Sequence, residues 1–132
     1  MQKVIEPISD ELNDLATLTI DAAMKVHKTL GPGLLESVYE ACLLYELRKI
    51  GLSVESQTLV PVQYDGVIVN ANLCIDILVE NKLAVEIKTV EGLADIHTAQ
   101  LLTYLKLMNL RLGLLLNFNT VMLIDGLKRV AN

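Results

Sequence analysis

The sequence predicts an α/β fold, with a mixed central sheet flanked by helices and an N-terminal helical hairpin. Three observations carry this reading. Apolar residues before Gly51 recur at steps of three and four, the period of amphipathic helices. After Gly51 the pattern becomes extended, with a stretch rich in Val and Thr around Asp65-Gly66 and apolar runs on either side of Glu80-Asn81-Lys82. A third helical stretch, 95–109, then leads into LGLLLNF at 112–118, a continuous apolar run suited to a strand buried on both faces. A helix between a hairpin and a buried strand implies a crossover connection and a mixed sheet with helices on its faces.

Each element has a local cause. Over 10–30, Leu12, Leu15, Ala16, Thr19, Ala23, Val26 and Leu30 form one stripe. Pro7 and Ser9 precede it, Asp10 and Glu11 suit the positive end of a helix, and Gly31-Pro32-Gly33 stops it. A second helix is expected over about 35–50, with Leu35, Val38, Cys42 and Tyr45 on one face and Gly51 as its left-handed cap. Asp65-Gly66 marks a hairpin turn, and CIDILVENKLAVEIK at 74–88 reads as two more strands. Asp95 is the expected N-cap of the third helix, whose inner side would hold Ile96, Ala99, Leu102 or Thr103, and Leu107. VMLIDGLKRV closes the chain around a second Asp-Gly turn.

Composition narrows the class. The chain has 132 residues, which suits one domain spanning 1–132. With 52% hydrophobic and 20% charged residues it is a folded chain, and with no Trp and Phe118 as its only Phe the core must be aliphatic. A net charge of -5 argues against a protein that coats nucleic acid nonspecifically, though not against an enzyme that meets a few phosphates through a cation. Cys42 and Cys74 lie apart in apolar surroundings, without the spacing of a zinc site or a disulfide framework. The N-terminus lacks the apolar core of a signal peptide, and Arg111 and Gly113 interrupt the best apolar run. A cytoplasmic protein without membrane association is expected.

The stretch 74–88 raises a question of chemistry. Asp76, Glu86 and Lys88 are charges within apolar strands, which is costly unless they are paired or bound. If the turn comprises Glu80, Asn81 and Lys82, Val79 faces Leu83 and Asp76 faces Glu86. Glu86 and Lys88 then share a face, so the three charges converge. Ile75, Ile77, Val79, Leu83, Val85 and Ile87 would point the other way, into the core. Two facing carboxylates repel, and a shared proton, Lys88 or a hard divalent cation would offset that repulsion. A solvated surface face fits the same spacing.

The spacing of Asp76 and Glu86-Ile87-Lys88 resembles the D…(D/E)-x-K signature of the PD-(D/E)XK nuclease superfamily. GLLESVYE at 33–40, with Gly33, Glu36 and Tyr39, resembles the motif that names the GxxExxY family within it. Gln100 and Tyr104 resemble the Gln-x-x-x-Tyr element of RecB-like nucleases, and GLLLNF at 113–118 resembles a GxxExxY strand ending in Asn-Phe. The order of these motifs is preserved over about 10–130. One departure is Ile75, which stands where the superfamily's name has proline.

The resemblance implies a restriction-endonuclease-like core and a hydrolase of DNA or RNA phosphodiesters dependent on Mg²⁺ or Mn²⁺. It implies that Asp76, Glu86 and the Ile87 carbonyl hold the metal and that Lys88 positions or activates water. Glu36 would project from the second helix, and Gln100 and Tyr104 would border the site. Core packing, with a satisfied hydroxyl, suits Tyr39 and Tyr104 equally well. Gly33 reads as a turn residue, His97 as a surface residue and Asn117 as a structural one. No partner is legible for His27. Lys106 and Arg111 either meet phosphate or are solvated. Nucleic-acid binding would be weak for the chain alone, with a homo-oligomer or a partner completing the surface. The alternative is a nuclease-fold binding or assembly module with little or no catalysis. A hydrolase of small phosphoesters would use the same site chemistry.

Overall fold

The computed structural model describes residues 6–132. The N-terminal segment read above as lacking a signal peptide lies partly outside them, at 1–5. Helix α1 spans Asp10–Leu30, with the Ser9 hydroxyl accepting the Leu12 amide at its start. Helix α2 spans Glu36–Lys49. Strand β1 follows at Val54–Leu59, then a short ribbon of β2 (Val62–Tyr64) and β3 (Val67–Val69). Strands β4 (Cys74–Val79) and β5 (Leu83–Lys88) form a hairpin, and helix α3 (Asp95–Met108) crosses to β6 (Leu112–Asn117). A 3-10 turn at Leu123–Gly126 leads to β7 (Leu127–Ala131).

The main sheet has five strands in the order β1-β4-β5-β6-β7. Strands β5 and β6 are parallel, as the α3 crossover requires, and the other neighbours are antiparallel. The expected hairpin at Asp65-Gly66 is the separate β2-β3 ribbon; β1 instead pairs with β4 at the sheet edge.

Helices cover both faces, so the central strands are buried on both sides. Under α1 and α2 lies one core, containing Ile77, Val79, Leu83, Val85, Leu112, Leu114 and Leu116. Under α3 lies another, containing Leu78, Ala84, Leu101, Leu105, Leu115 and Val130. Gly113 lets α3 approach β6 closely: a Cβ there would stand 2.9 Å from a Leu101 methyl carbon.

The α1 stripe is buried as read except at Leu30, which is only partly covered, and Ala22 and His27 join it. The other two helix faces require correction. Helix α2 buries Tyr39, Leu43, Leu44 and Leu47, while Val38 and Tyr45 are exposed and Cys42 is only partly covered. Helix α3 buries Leu101, Tyr104 and Leu105, and leaves Ile96 70% exposed. Both helices carry apolar residues around most of their circumference, so period alone does not select the inward face. The N-cap of α3 is Ala94, whose amide donates to His97 Nδ1, not Asp95.

Tyr39 anchors α2. Its ring, with no exposed surface, stacks on Phe118 at 4.4 Å between centroids. Its hydroxyl donates to the Gly31 carbonyl (2.5 Å) and accepts from the Leu34 amide (3.2 Å), tying the α1–α2 connection to the helix it precedes. Tyr39→Phe keeps the stack and removes both bonds. We expect a loss of about 1–2 kcal/mol in urea denaturation, with secondary structure unchanged by circular dichroism.

Candidate active site

The turn at Glu80-Asn81-Lys82 has the predicted length, and Val79 pairs with Leu83, Leu78 with Ala84 and Ile77 with Val85. Glu80 and Asn81 both adopt left-handed backbone (φ 52° and 55°). Beyond Ile77 the β4-β5 ladder stops, and Asp76 and Glu86 stand at the fork between the strands. Side chains there replace main-chain pairing. The Asp76 amide donates to Glu86 Oε1 at 3.0 Å, and the Ile87 amide donates to Asp76 Oδ2 at 2.8 Å.

The same point interrupts β1-β4. Ser56 pairs with Ile77 and Thr58 with Ile75, but the intervening Gln57 and Asp76 are not paired. Gln57 has a left-handed backbone, φ 53°. Strict alternation is lost here. Ile75, expected beside Ile77, lies in the core under α3.

Glu86 is 5% exposed. Burial, and then the Asp76 carboxylate, push its carboxyl up from 4.5 to about 8; the Asp76 amide and Lys88 oppose this only in part. With no cation bound, these neighbours favour a protonated Glu86 at neutral pH. Lys88 is half-buried and makes no ion pair within 4.0 Å with another described residue. It lies at the C-terminal end of β5, paired in register with Asn117 of β6.

Helix α2 brings further acids. Glu36, Ser37 and Glu40 line an open cleft of about 370 Å³ with Gln57, Asp76 and Ile87. Glu36 thus shares a cleft with Asp76, whereas Glu40 and Gln57 escaped the sequence reading. Glu40 was detectable, because residues four apart on a helix share a face and Glu36 was already singled out. Its carboxyl is raised, first by burial and then by Asp76 and Glu36, against hydrogen bonds from Gln57 and Ser56. Gln57 gave no such signal, since its relation to Asp76 depends on strand pairing across the β2-β3 insertion.

From α3, Tyr104 is buried toward the fork; burial, then Glu86 and Asp76, raise its hydroxyl above the ordinary value. Gln100 is exposed one turn earlier and is not among the cleft-lining residues. Asn117 is structural: it accepts the Val90 amide and donates to the Val90 carbonyl, holding the segment after β5. His27 finds the Thr120 carbonyl at 2.8 Å. Arg111 lies at the opposite end of β6 from Lys88 and Asn117, bound to the Asn132 and Glu6 carbonyls, and so does not face the site. Lys106 is exposed.

Residues 13–130 match the profile of the PD-(D/E)XK nuclease superfamily, and the chain belongs to that superfamily. Its five-stranded mixed sheet between helices is the restriction-endonuclease-like core. No curated protein and no solved structure matches the chain. Among the described residues no helix is long and apolar enough to cross a membrane.

The burial of Glu86 sets a pH dependence. Between its ordinary value of 4.5 and about 8 the folded chain holds the Glu86 proton and the unfolded chain releases it. Stability therefore falls as pH rises through this window. In buffer with chelator, we expect the Tm to drop by about 10 °C between pH 6 and pH 9. In Glu86→Gln, which keeps an acceptor for the Asp76 amide, that drop should be largely absent from a differential scanning fluorimetry profile.

Proposed function

We propose that the chain is a single nuclease-like domain of the GxxExxY type that hydrolyses DNA or RNA phosphodiester bonds with Mg²⁺ or Mn²⁺. The observation carrying this reading is the fork at Asp76 and Glu86, where two carboxylates are held against one another by main-chain amides and one is buried. The donor set fits a hard divalent cation, because both groups offer anionic oxygen. Among the described residues no cluster of three or more His, Cys, Asp and Glu is gathered as a metal site. Two carboxylates are enough for Mg²⁺, which commonly completes its shell with waters and substrate phosphate.

Asp76, Glu86 and the Ile87 carbonyl would hold the metal, whose chemistry is to polarise the phosphoryl group and acidify a bound water. Lys88, without a carboxylate partner at ion-pair distance among the described residues, orients the attacking water or offsets charge on the reacting phosphate. Glu36 faces the same cleft from the start of α2. Tyr104 shields the carboxylates from the α3 side, and Gln100, exposed one turn away, meets the substrate strand. Glu86 must release its proton on metal binding, so affinity rises with pH. With a net charge of -5, the chain binds nucleic acid weakly alone and works in the cytoplasm beside a partner or a second copy.

A second reading, an assembly module with little catalysis, is favoured by the β2-β3 ribbon. Tyr64, Val67 and Ile68 are 74%, 62% and 73% exposed on an isolated two-stranded element.

A cleavage screen on single-stranded, double-stranded and branched DNA, RNA and nucleotides with Mg²⁺ or Mn²⁺ tests the nuclease reading. We expect wild type to cut polymers, and Lys88→Ala and Glu86→Ala to lose roughly 100-fold or more while remaining folded. Equal activity in wild type and Lys88→Ala would refute the site. Calorimetry showing no binding of either ion at millimolar concentration would favour the assembly module, and cleavage of nucleotides alone would favour a small-phosphoester hydrolase.

A further inference from the structure

We infer that Gln57 is a positioning residue that sets the Asp76 carboxylate for cation binding and couples it to Glu40. The inference rests on the metal-site reading above. Its basis is the coincidence of three features at one residue. Gln57 stands opposite Asp76, and there the β1-β4 ladder is interrupted while the pairs on either side keep register. Its backbone is left-handed, φ 53°, a conformation that a non-glycine residue in a strand adopts only when its surroundings hold it. Its side-chain amide nitrogen donates twice, to Glu40 Oε1 at 2.7 Å and to Asp76 Oδ1 at 3.2 Å.

These features explain one another. An amide nitrogen has two protons and no charge, so it can bridge two carboxylates without neutralising either. Extended backbone at position 57 would alternate with its neighbours and continue the ladder. The left-handed turn removes Gln57 from the ladder at the place where Asp76 also leaves it. With Oδ2 held by the Ile87 amide and Oδ1 by Gln57, the Asp76 carboxylate is fixed at both oxygens. The lone pairs left over are then presented in one orientation, beside Glu86. Ser56 Oγ donates to the other Glu40 oxygen at 3.3 Å, so successive residues of β1 hold Glu40 at the cleft. Outer partners that orient a metal's carboxylates commonly change its affinity by 10–100-fold when removed.

Gln57→Gly separates positioning from structure. Glycine adopts the left-handed backbone without strain, so the main chain is kept while the amide is lost. We expect a Tm close to wild type and an Mn²⁺ Kd by calorimetry raised about tenfold or more. Gln57→Asn tolerates the same backbone and keeps a shorter amide; it should recover part of the lost affinity. Wild-type affinity in Gln57→Gly would overturn the inference while leaving the metal site standing. If the wild-type chain itself binds no Mn²⁺, the metal-site reading fails and the inference fails with it.

Discussion

The site depends on two hydrogen bonds, from the Asp76 amide to Glu86 and from the Ile87 amide to Asp76. They satisfy main-chain donors at the point where the β4-β5 ladder ends, so the strands can part without leaving buried amides unpaired. The same exchange draws both carboxylates into the fork. Glu86 is thereby buried at the end of a sheet covered on both faces, and its proton affinity rises because water is excluded and Asp76 is near.

The helices keep this fork in place and supply its surroundings. The stack of Tyr39 on Phe118 joins α2 to the end of β6, and the Tyr39 hydroxyl closes the α1–α2 connection. Glu36 and Glu40, one turn apart on α2, are thereby held over Asp76. On the other side, Gly113 lets α3 lie close to β6, with Tyr104 turned toward the carboxylates. Asn117 ties the segment after Lys88 back to β6 through Val90. The end of β5 is therefore supported from α2, α3 and β6, a rigid setting for groups that must act together.

The electrostatics are lopsided. Among the described residues the cleft over Asp76 is lined by Glu36, Glu40 and Asp76 and by no basic side chain, in a chain whose net charge is already -5. A phosphate backbone approaching such a surface is repelled until cations neutralise it. The β2-β3 ribbon differs in kind: between Leu59 and Leu73 its sole charge is Asp65, and Tyr64, Val67, Ile68 and Val69 face solvent. One surface calls for cations and the other for apolar contact, so the two readings of this chain arise from different parts of one molecule.

The sequence by itself determined the elements and the central spacing. Period-three-and-four stripes marked α1, the alternation of turn and apolar residues marked the β4-β5 hairpin, and an odd turn length set the register that ends at Ile77–Val85, just before the Asp76–Glu86 fork. These features are local, since propensity, capping and register act over a few residues. What required the tertiary structure was every relation across the chain. The inward faces of α2 and α3 were chosen by packing, because both helices are apolar most of the way round. Ile75 changed cores because alternation breaks at Asp76. Arg111 was engaged by the chain's end and removed from the site. Gln57 entered the cleft through a strand pairing that bridges the whole β2-β3 insertion, and no spacing of residues records which strand becomes a neighbour.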